Sequence, residues 1–248
     1  MKRYFKGIQP HINIENIEAE IAFLPGPPER ALEIAKNFSS YEKVTEQREF
    51  VTYKGDIEGQ NVCVTSTGIG CPSAAIVVEE LANCGVKVFI RVGTTGTIQE
   101  GIELGDVIIP VAAVRDDGTT KEYVNDAYPA DASSEVAGAL KKAAEEAKVR
   151  YHVGEVRTND AFYAALDFEG IVKRYQKLGI LSFEMECAAV FTVAKLRGLK
   201  AGAVLAVVGN IVTEKYVYGD KEYENKANMA VGNAIKVAVD SVKYINPE

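Results

Sequence analysis

Arg91 interrupts an apolar run, Val88-Phe89-Ile90-Arg91-Val92, just before the chain opens into Gly93-Thr94-Thr95-Gly96-Thr97. A cation at the carboxyl end of a buried strand costs several kcal/mol to desolvate unless something negative meets it. Either an anionic ligand or an internal carboxylate must answer it, and the glycines either admit a ligand to the backbone or serve a turn. Ligands gather at the carboxyl ends of strands in α/β sheets. The stretch therefore reads as an anion-binding corner in which threonine hydroxyls supply further donors.

Other stretches have similar potential. Ile21-Ala22-Phe23-Leu24 runs into Pro25-Gly26-Pro27-Pro28, which stops a strand and prepares a helix. Arg30 then sits in the first helical turn, where positive charge opposes the helix dipole by roughly 0.3–1 kcal/mol; it either answers an anion or lies on the surface. Glu184-Met185-Glu186 joins a short apolar strand to the Ala-rich run that begins at Cys187. Buried carboxylates need donors, so these two meet either ligand hydroxyls or the amino end of the helix. Asn159-Asp160-Ala161-Phe162-Tyr163 is an aromatic loop that could stack on a planar ligand or pack in the core. Gly68-Ile69-Gly70-Cys71-Pro72-Ser73 follows a strand as a dinucleotide fingerprint does. It lacks the third glycine, and the next strand end carries Arg91 in place of the acid that holds an adenosine ribose.

The elements that must position these residues follow from periodicity. Strands are expected near 21–24, 48–56, 60–66, 88–92, 106–113, 151–158 and 202–209, and a short one just before Glu184. Helices are expected near 29–37, 72–83, 135–148, 187–195 and 221–244. Residues 116–134, rich in Gly, Asp and Tyr, read as a surface excursion. This alternation predicts an α/β fold, a single domain over 1–248 with a central mixed β-sheet flanked by helices.

Hydrophobic residues make up 47% and charged residues 25% of the chain, as in an ordinary globular protein. A formal charge of −7 disfavours general attraction to nucleic acid. No signal peptide or membrane-length apolar run is visible, so a cytoplasmic location is expected. Cys63, Cys71, Cys84 and Cys187 are dispersed and the histidines are His11 and His152, a set unsuited to zinc.

Taken together, Leu24-Pro25-Gly26 with Arg30, Gln47-Arg48-Glu49-Phe50, Thr67-Gly68-Ile69-Gly70, Ile90-Arg91-Val92-Gly93-Thr94-Thr95-Gly96, Asp160-Ala161-Phe162-Tyr163 and Glu184-Met185-Glu186 resemble the nucleoside phosphorylase-I family. That family contains purine nucleoside, uridine and 5′-methylthioadenosine phosphorylases, and the resemblance runs in family order over nearly the whole chain. It implies phosphorolysis: a nucleoside and phosphate give free base and ribose 1-phosphate. It implies a phosphate site of Gly26, Arg30, Arg91 and Thr94, joined by Arg48 from a neighbouring subunit. Met185 and Glu186 would hold the ribose, with His11 reaching its 5′ side across a subunit interface. Thr95, Phe162, Glu184 and Asn210 would meet the base, and Arg91, Glu186 and Asn210 would carry catalysis. Phosphate is a substrate and no cofactor or metal is required; in the uridine branch a monovalent cation sits between subunits at positions matching Glu49, Ile69 and Ser73. The implied partners are nucleoside and phosphate, without nucleic acid or membrane, in a homo-oligomer, a hexamer of three dimers.

The base end departs from the family. Uridine phosphorylases read the pyrimidine with polar residues where this chain has Leu166, Phe168 and Ile211, and many purine enzymes place Ser-Asp where it has Gly209-Asn210. An amide can hydrogen-bond a 6-oxo group and N7 together, and Asp160-Ala161-Phe162-Tyr163 with Glu184-Met185-Glu186-Cys187 resembles archaeal-type purine and methylthioadenosine enzymes. The resemblance therefore implies a purine nucleoside, 6-oxo or methylthioadenosine-like, as the favoured substrate and uridine as the alternative. A nucleosidase that uses water would have little use for three arginines, and a nucleoside sensor without turnover is a further alternative.

Overall fold

A computed structural model describes residues 7–163, 166–216 and 221–247. In chain order the elements are β1 (Ile21–Pro25), α1 (Pro28–Ala35), β2 (Ser40–Gln47), β3 (Phe50–Ile57), β4 (Gln60–Thr65), α2 (Cys71–Asn83), β5 (Val88–Thr97), β6 (Val107–Asp116), α3 (Thr119–Tyr123), β7 (Ala130–Asp131), α4 (Ser134–Glu146), β8 (Tyr151–Asn159), α5 (Phe168–Lys177), β9 (Ser182–Glu184), α6 (Cys187–Leu196), β10 (Lys200–Asn210), β11 (Lys215–Tyr216) and α7 (Lys221–Ser241). All the strands join one mixed sheet in the order β11-β10-β6-β8-β9-β5-β1-β4-β3-β2, with β7 on β6. The expected α/β architecture is what forms.

The strands that carry the site read as continuous apolar runs because both of their faces are covered. β1, β4, β5 and β10 run parallel to their neighbours at the centre, and purely parallel segments need helices on both sides. Alternation along β5 divides its side chains accordingly. Phe89 faces a core shared with α2 and α6, whereas Ile90 and Val92 face a core shared with α1, α4 and α7. Arg91 falls on the Phe89 side, under the amino ends of α2 and α6.

One pairing shapes the site more than any other. β5 bonds to β10 as well as to β1 and β9, so β5, β10, β6, β8 and β9 close on themselves as a small barrel. The register leaves the carboxyl end of β5, from Arg91 to Thr97, ringed by β9 and by the end of β10.

Several elements differ from expectation. Residues 40–47 form β2, an exposed edge strand in which Glu42, Lys43 and Glu46 hide the β pattern. Arg48, expected in a strand, instead turns the β2–β3 corner with a left-handed φ of 56°. The excursion 116–134 is tied down by Arg115, which donates to the carbonyls of Thr120, Val124, Asn125 and Tyr128 and to the Thr120 hydroxyl. α5 was not anticipated: only Val172 and Tyr175 mark its buried face.

Candidate active site

Arg91 lies in register with Leu24 of β1 and Ala203 of β10, and only 4% of its surface is exposed. Its guanidinium is shared among three directions. Nε donates to Glu184 Oε2 at 3.3 Å, and Nη2 donates to Glu186 Oε2. Nη1 is buried with no hydrogen-bond partner among the described residues. A buried N–H of a cation left unsatisfied costs about 1–3 kcal/mol or more, which makes Nη1 the group that most needs an external acceptor. Gly93 is small for a reason other than ligand approach. A Cβ there would stand 2.7 Å from Nη2 and 2.8 Å from Cζ of Arg91, so the glycine lets the guanidinium lie flat against its own strand.

Arg30 completes this corner from the first turn of α1. It is half-buried and has no hydrogen bond among the described residues. Desolvation first, and then the charge of Arg91, lower its pKa from the ordinary arginine value, with Glu33 opposing them. Two desolvated guanidiniums that repel one another form a site for an anion. Gly26 follows β1 beside them, its carbonyl zipped to Gly68 N at 2.9 Å, while Thr94 lies half-buried further along β5.

The two glutamates, alike in sequence, have separate jobs. Glu184 is fully enclosed: Oε2 accepts from the N–H groups of Glu186 at 2.8 Å and Cys187 at 2.9 Å, and Oε1 accepts from the Thr158 hydroxyl. That hydroxyl accepts in turn from Ala188 N at 3.0 Å. Glu184 thus satisfies the open N–H groups at the start of α6 and has no oxygen left for a base. Its assignment to the base is corrected by this geometry. Glu186 instead accepts from Gly70 N at 2.7 Å through one oxygen and from Arg91 through the other. Burial first raises its pKa above the ordinary carboxylate value; Arg91 and two backbone N–H groups offset this only in part, because Glu184 adds to the rise. Met185 lies half-buried between them, and its carbonyl accepts from the Cys71 thiol at 3.3 Å. Arg91 is held the other way: its burial is outweighed by Glu186 and Glu184, which raise its pKa.

Asn210 also departs from its expected role. Nδ2 donates to the carbonyls of Gln99 at 3.1 Å and Ile102 at 3.0 Å, while Oδ1 accepts from Val212 N and Thr213 N, both at 3.1 Å. Its hydrogen-bonding capacity is spent on two loops, so it is a structural tie rather than a base reader or catalyst. Replacement by aspartate would set a carboxylate against two carbonyls. N210D is expected to lower stability by about 3 kcal/mol, read as a shift in the urea unfolding midpoint.

At the base end, Thr95 donates to Phe183 O at 2.8 Å and is nearly fully buried. Phe162 is 64% exposed and meets Tyr163 edge-on with ring centroids 5.0 Å apart. Ile211 packs against Gly96, and Leu166 and Phe168 are exposed. The described base end is largely apolar.

The segments that carry Arg48 and His11 are tied together. Gln47 Nε2 donates to Pro10 O at 2.8 Å, which joins the β2–β3 turn to the segment of His11. Glu80, a residue that sequence reasoning missed, clamps that segment: its carboxylate accepts from His11 N at 3.0 Å and Ile12 N at 2.9 Å, and lies 2.6 Å from His11 Nδ1. A buried acid three residues after Val77 on the covered face of α2 was the available signal. Ser73 of α2 donates to Glu49 of the β2–β3 turn at 3.3 Å, and the exposed Ile69 lies on the loop that leads into α2. This all-oxygen pair suits a hard monovalent cation, and no step of the chemistry passes through it.

The residues from 20 to 243 match the family model described as the phosphorylase superfamily. The chain belongs to the phosphorylase superfamily. Among curated relatives, this phosphorylase is 41% identical to uridine phosphorylase of Thermococcus kodakarensis, over 95% of this chain and 88% of that one. It is 38% identical to guanosine phosphorylase of Halorubrum lacusprofundi, over 94% and 98% of the two chains. Among solved structures it superposes on uridine phosphorylase from Vibrio fischeri ES114 with a TM-score of 0.89 at 32% identity, covering 98% of this chain and 99% of the other. The phosphorylase is therefore an enzyme of the nucleoside phosphorylase kind, in which phosphate is a substrate. No helix among its described residues is long and apolar enough to cross a membrane.

Proposed function

We propose that the phosphorylase cleaves uridine, with phosphate as the nucleophile, to uracil and ribose 1-phosphate. The observation that carries the phosphate half is the unsatisfied Nη1 of Arg91, with Arg30 near enough for the two charges to repel. Phosphate held by Gly26, Arg30, Arg91 and Thr94 attacks C1′ as the bond from C1′ to the base nitrogen breaks. The bonding pair leaves with the base, and the hydrogen of hydrogenphosphate ends on that nitrogen. Cationic character develops on the sugar, and preorganised charge in a dry site stabilises it. Glu186 sits beside the anion corner to accept from the ribose hydroxyls, and Met185 packs against the sugar.

Uridine is preferred over a purine on two grounds. The relatives named above include uridine phosphorylases, and Asn210, the residue that favoured a 6-oxo purine, has its amide engaged elsewhere. The guanosine enzyme of Halorubrum lacusprofundi keeps a purine as the second reading. The proposed assembly is a hexamer of three dimers acting in the cytoplasm, each chain a single catalytic unit lending Arg48 and His11 to its neighbour. The hydrogen bond from Gln47 to Pro10, which joins the segments carrying those two residues, supports it.

A panel of uridine, inosine, guanosine, adenosine and methylthioadenosine tests the assignment. Uridine is expected to have the highest kcat/KM and to require phosphate. Base release undiminished in phosphate-free buffer would show a hydrolase, and a higher kcat/KM for guanosine would install the purine reading. Binding without turnover would leave only a sensor.

A further inference from the structure

Arg157 of β8 is not used by the chemistry above, yet its surroundings are built with care. It stands in register with Phe183 of β9, and its side chain is 13% exposed. Its guanidinium carbon lies 4.8 Å from the centre of the Phe183 ring and 4.9 Å from that of Tyr175 in α5. Nε donates to Asp116 Oδ2 at 2.6 Å, and the Tyr175 hydroxyl donates to the same oxygen at 2.5 Å. Nη1 donates to Asn159 Oδ1 at 3.3 Å, and Asn159 Nδ2 donates to Ala161 O at 2.8 Å. Asp160 adds a second tie, accepting from Gly118 N at 2.7 Å. Burial works to raise the pKa of Asp116, but the Tyr175 hydroxyl and Arg157 outweigh it, so the anchor is ionised at neutral pH.

Both groups that Arg157 holds lie at the base end of the site. Phe183 pairs with Gly96, accepts from Thr95 through its carbonyl and packs in one cluster with Ile211. The Asn159–Ala161 turn leads directly to Phe162. We infer that Arg157, anchored by Asp116 and Tyr175, is the positioning residue for the nucleobase: it fixes the Phe183 ring and the root of the Phe162 turn in one arrangement. A planar cation that stacks and forks suits this task, and a lysine would supply the charge without the plane. An apolar base end recognises a planar ring by shape and stacking, so the placement of its aromatic walls carries the selectivity that polar readers would otherwise supply. This inference rests on the nucleoside occupying the site as proposed.

The test is steady-state kinetics of R157M, R157K and Y175F with whichever nucleoside the wild-type enzyme cleaves best, so that failure of the uridine assignment does not decide it. Absence of turnover of any nucleoside by the wild-type enzyme would sink the functional proposal itself, with or without the variants. R157M is expected to raise the nucleoside KM about tenfold while leaving the phosphate KM within about twofold. R157K should recover only part of the loss, and Y175F should shift the nucleoside KM in the same direction by less. If R157M does not fold, Y175F, which removes one hydroxyl, carries the test. Equal changes in both KM values, or a lowered Tm with neither KM changed, would reduce Arg157 to a purely structural residue and overturn the inference.

Discussion

Arg91→Ala is expected to reduce phosphorolysis by about 10²–10³-fold, the scale seen when one preorganised donor is removed from a reacting centre. The same substitution should destabilise the protein. Arg91 is one cation against two buried carboxylates, Glu184 and Glu186. Its removal leaves two negative charges with no counter-ion at the amino ends of α2 and α6, a change that typically costs about 3–5 kcal/mol. Loss of activity in R91A alone could therefore reflect unfolding. Arg91→Lys separates the effects, because it keeps the charge against Glu184 and Glu186 but loses the fork that aims Nη1 at the anion. R91K is expected to recover most of the Tm while its phosphate KM stays high. Wild-type phosphate dependence in a folded R91K would contradict the assignment of Nη1.

Glu186→Gln should have the opposite balance, with activity falling and stability kept. A glutamine accepts from a sugar hydroxyl more weakly than a carboxylate, and hydrogen bonds to charged groups contribute about 1.5–3 kcal/mol. The expected loss is about 10²-fold in kcat/KM. Stability follows from the sign of the pKa shift. The folded protein holds a proton on Glu186 more tightly than the unfolded chain does, mainly because the group is buried. Its contribution to stability is present at low pH and is lost as pH rises through the raised folded-state pKa. Above that folded-state pKa the ionised carboxylate works against folding. E186Q removes that penalty and still leaves Arg91 matched one-to-one with Glu184. The wild-type rate should fall on the acid side at a pH above the ordinary carboxylate value of 4.5, and that limb should vanish in E186Q. A large loss of Tm in E186Q, or an unchanged acid limb, would count against this account.

Arg91 illustrates how far sequence can go. An isolated cation in an apolar strand raises two possibilities, an internal carboxylate or an anionic ligand, and the residue types alone leave both open. The structure supplies the first: Nε and Nη2 donate to internal glutamates, while Nη1 is left without a partner among the described residues. The pair Glu184 and Glu186 shows the limit more sharply. Two residues apart at one strand–helix junction, they look alike in sequence. Their roles diverge because the chain turns between them, sending one carboxylate to the start of α6 and the other to Arg91 and Gly70. Asn210 fails for a related reason, since the loops at Gln99, Ile102 and Val212 that absorb its amide are distant in sequence or carry no pattern of their own. Arg157 leaves no signal either: apart from Asn159 in its own strand, its partners come from β6, α5 and β9.

By itself, the sequence determined the α/β alternation, the strands buried on both faces and the uncompensated charge of Arg91 within one of them, because apolar periodicity and isolated charge are local properties of the chain. Only the tertiary structure decided which oxygens and nitrogens remain free. Hydrogen bonds saturate, and whether a glutamate or an asparagine has capacity left for a ligand depends on neighbours that folding brings from elsewhere.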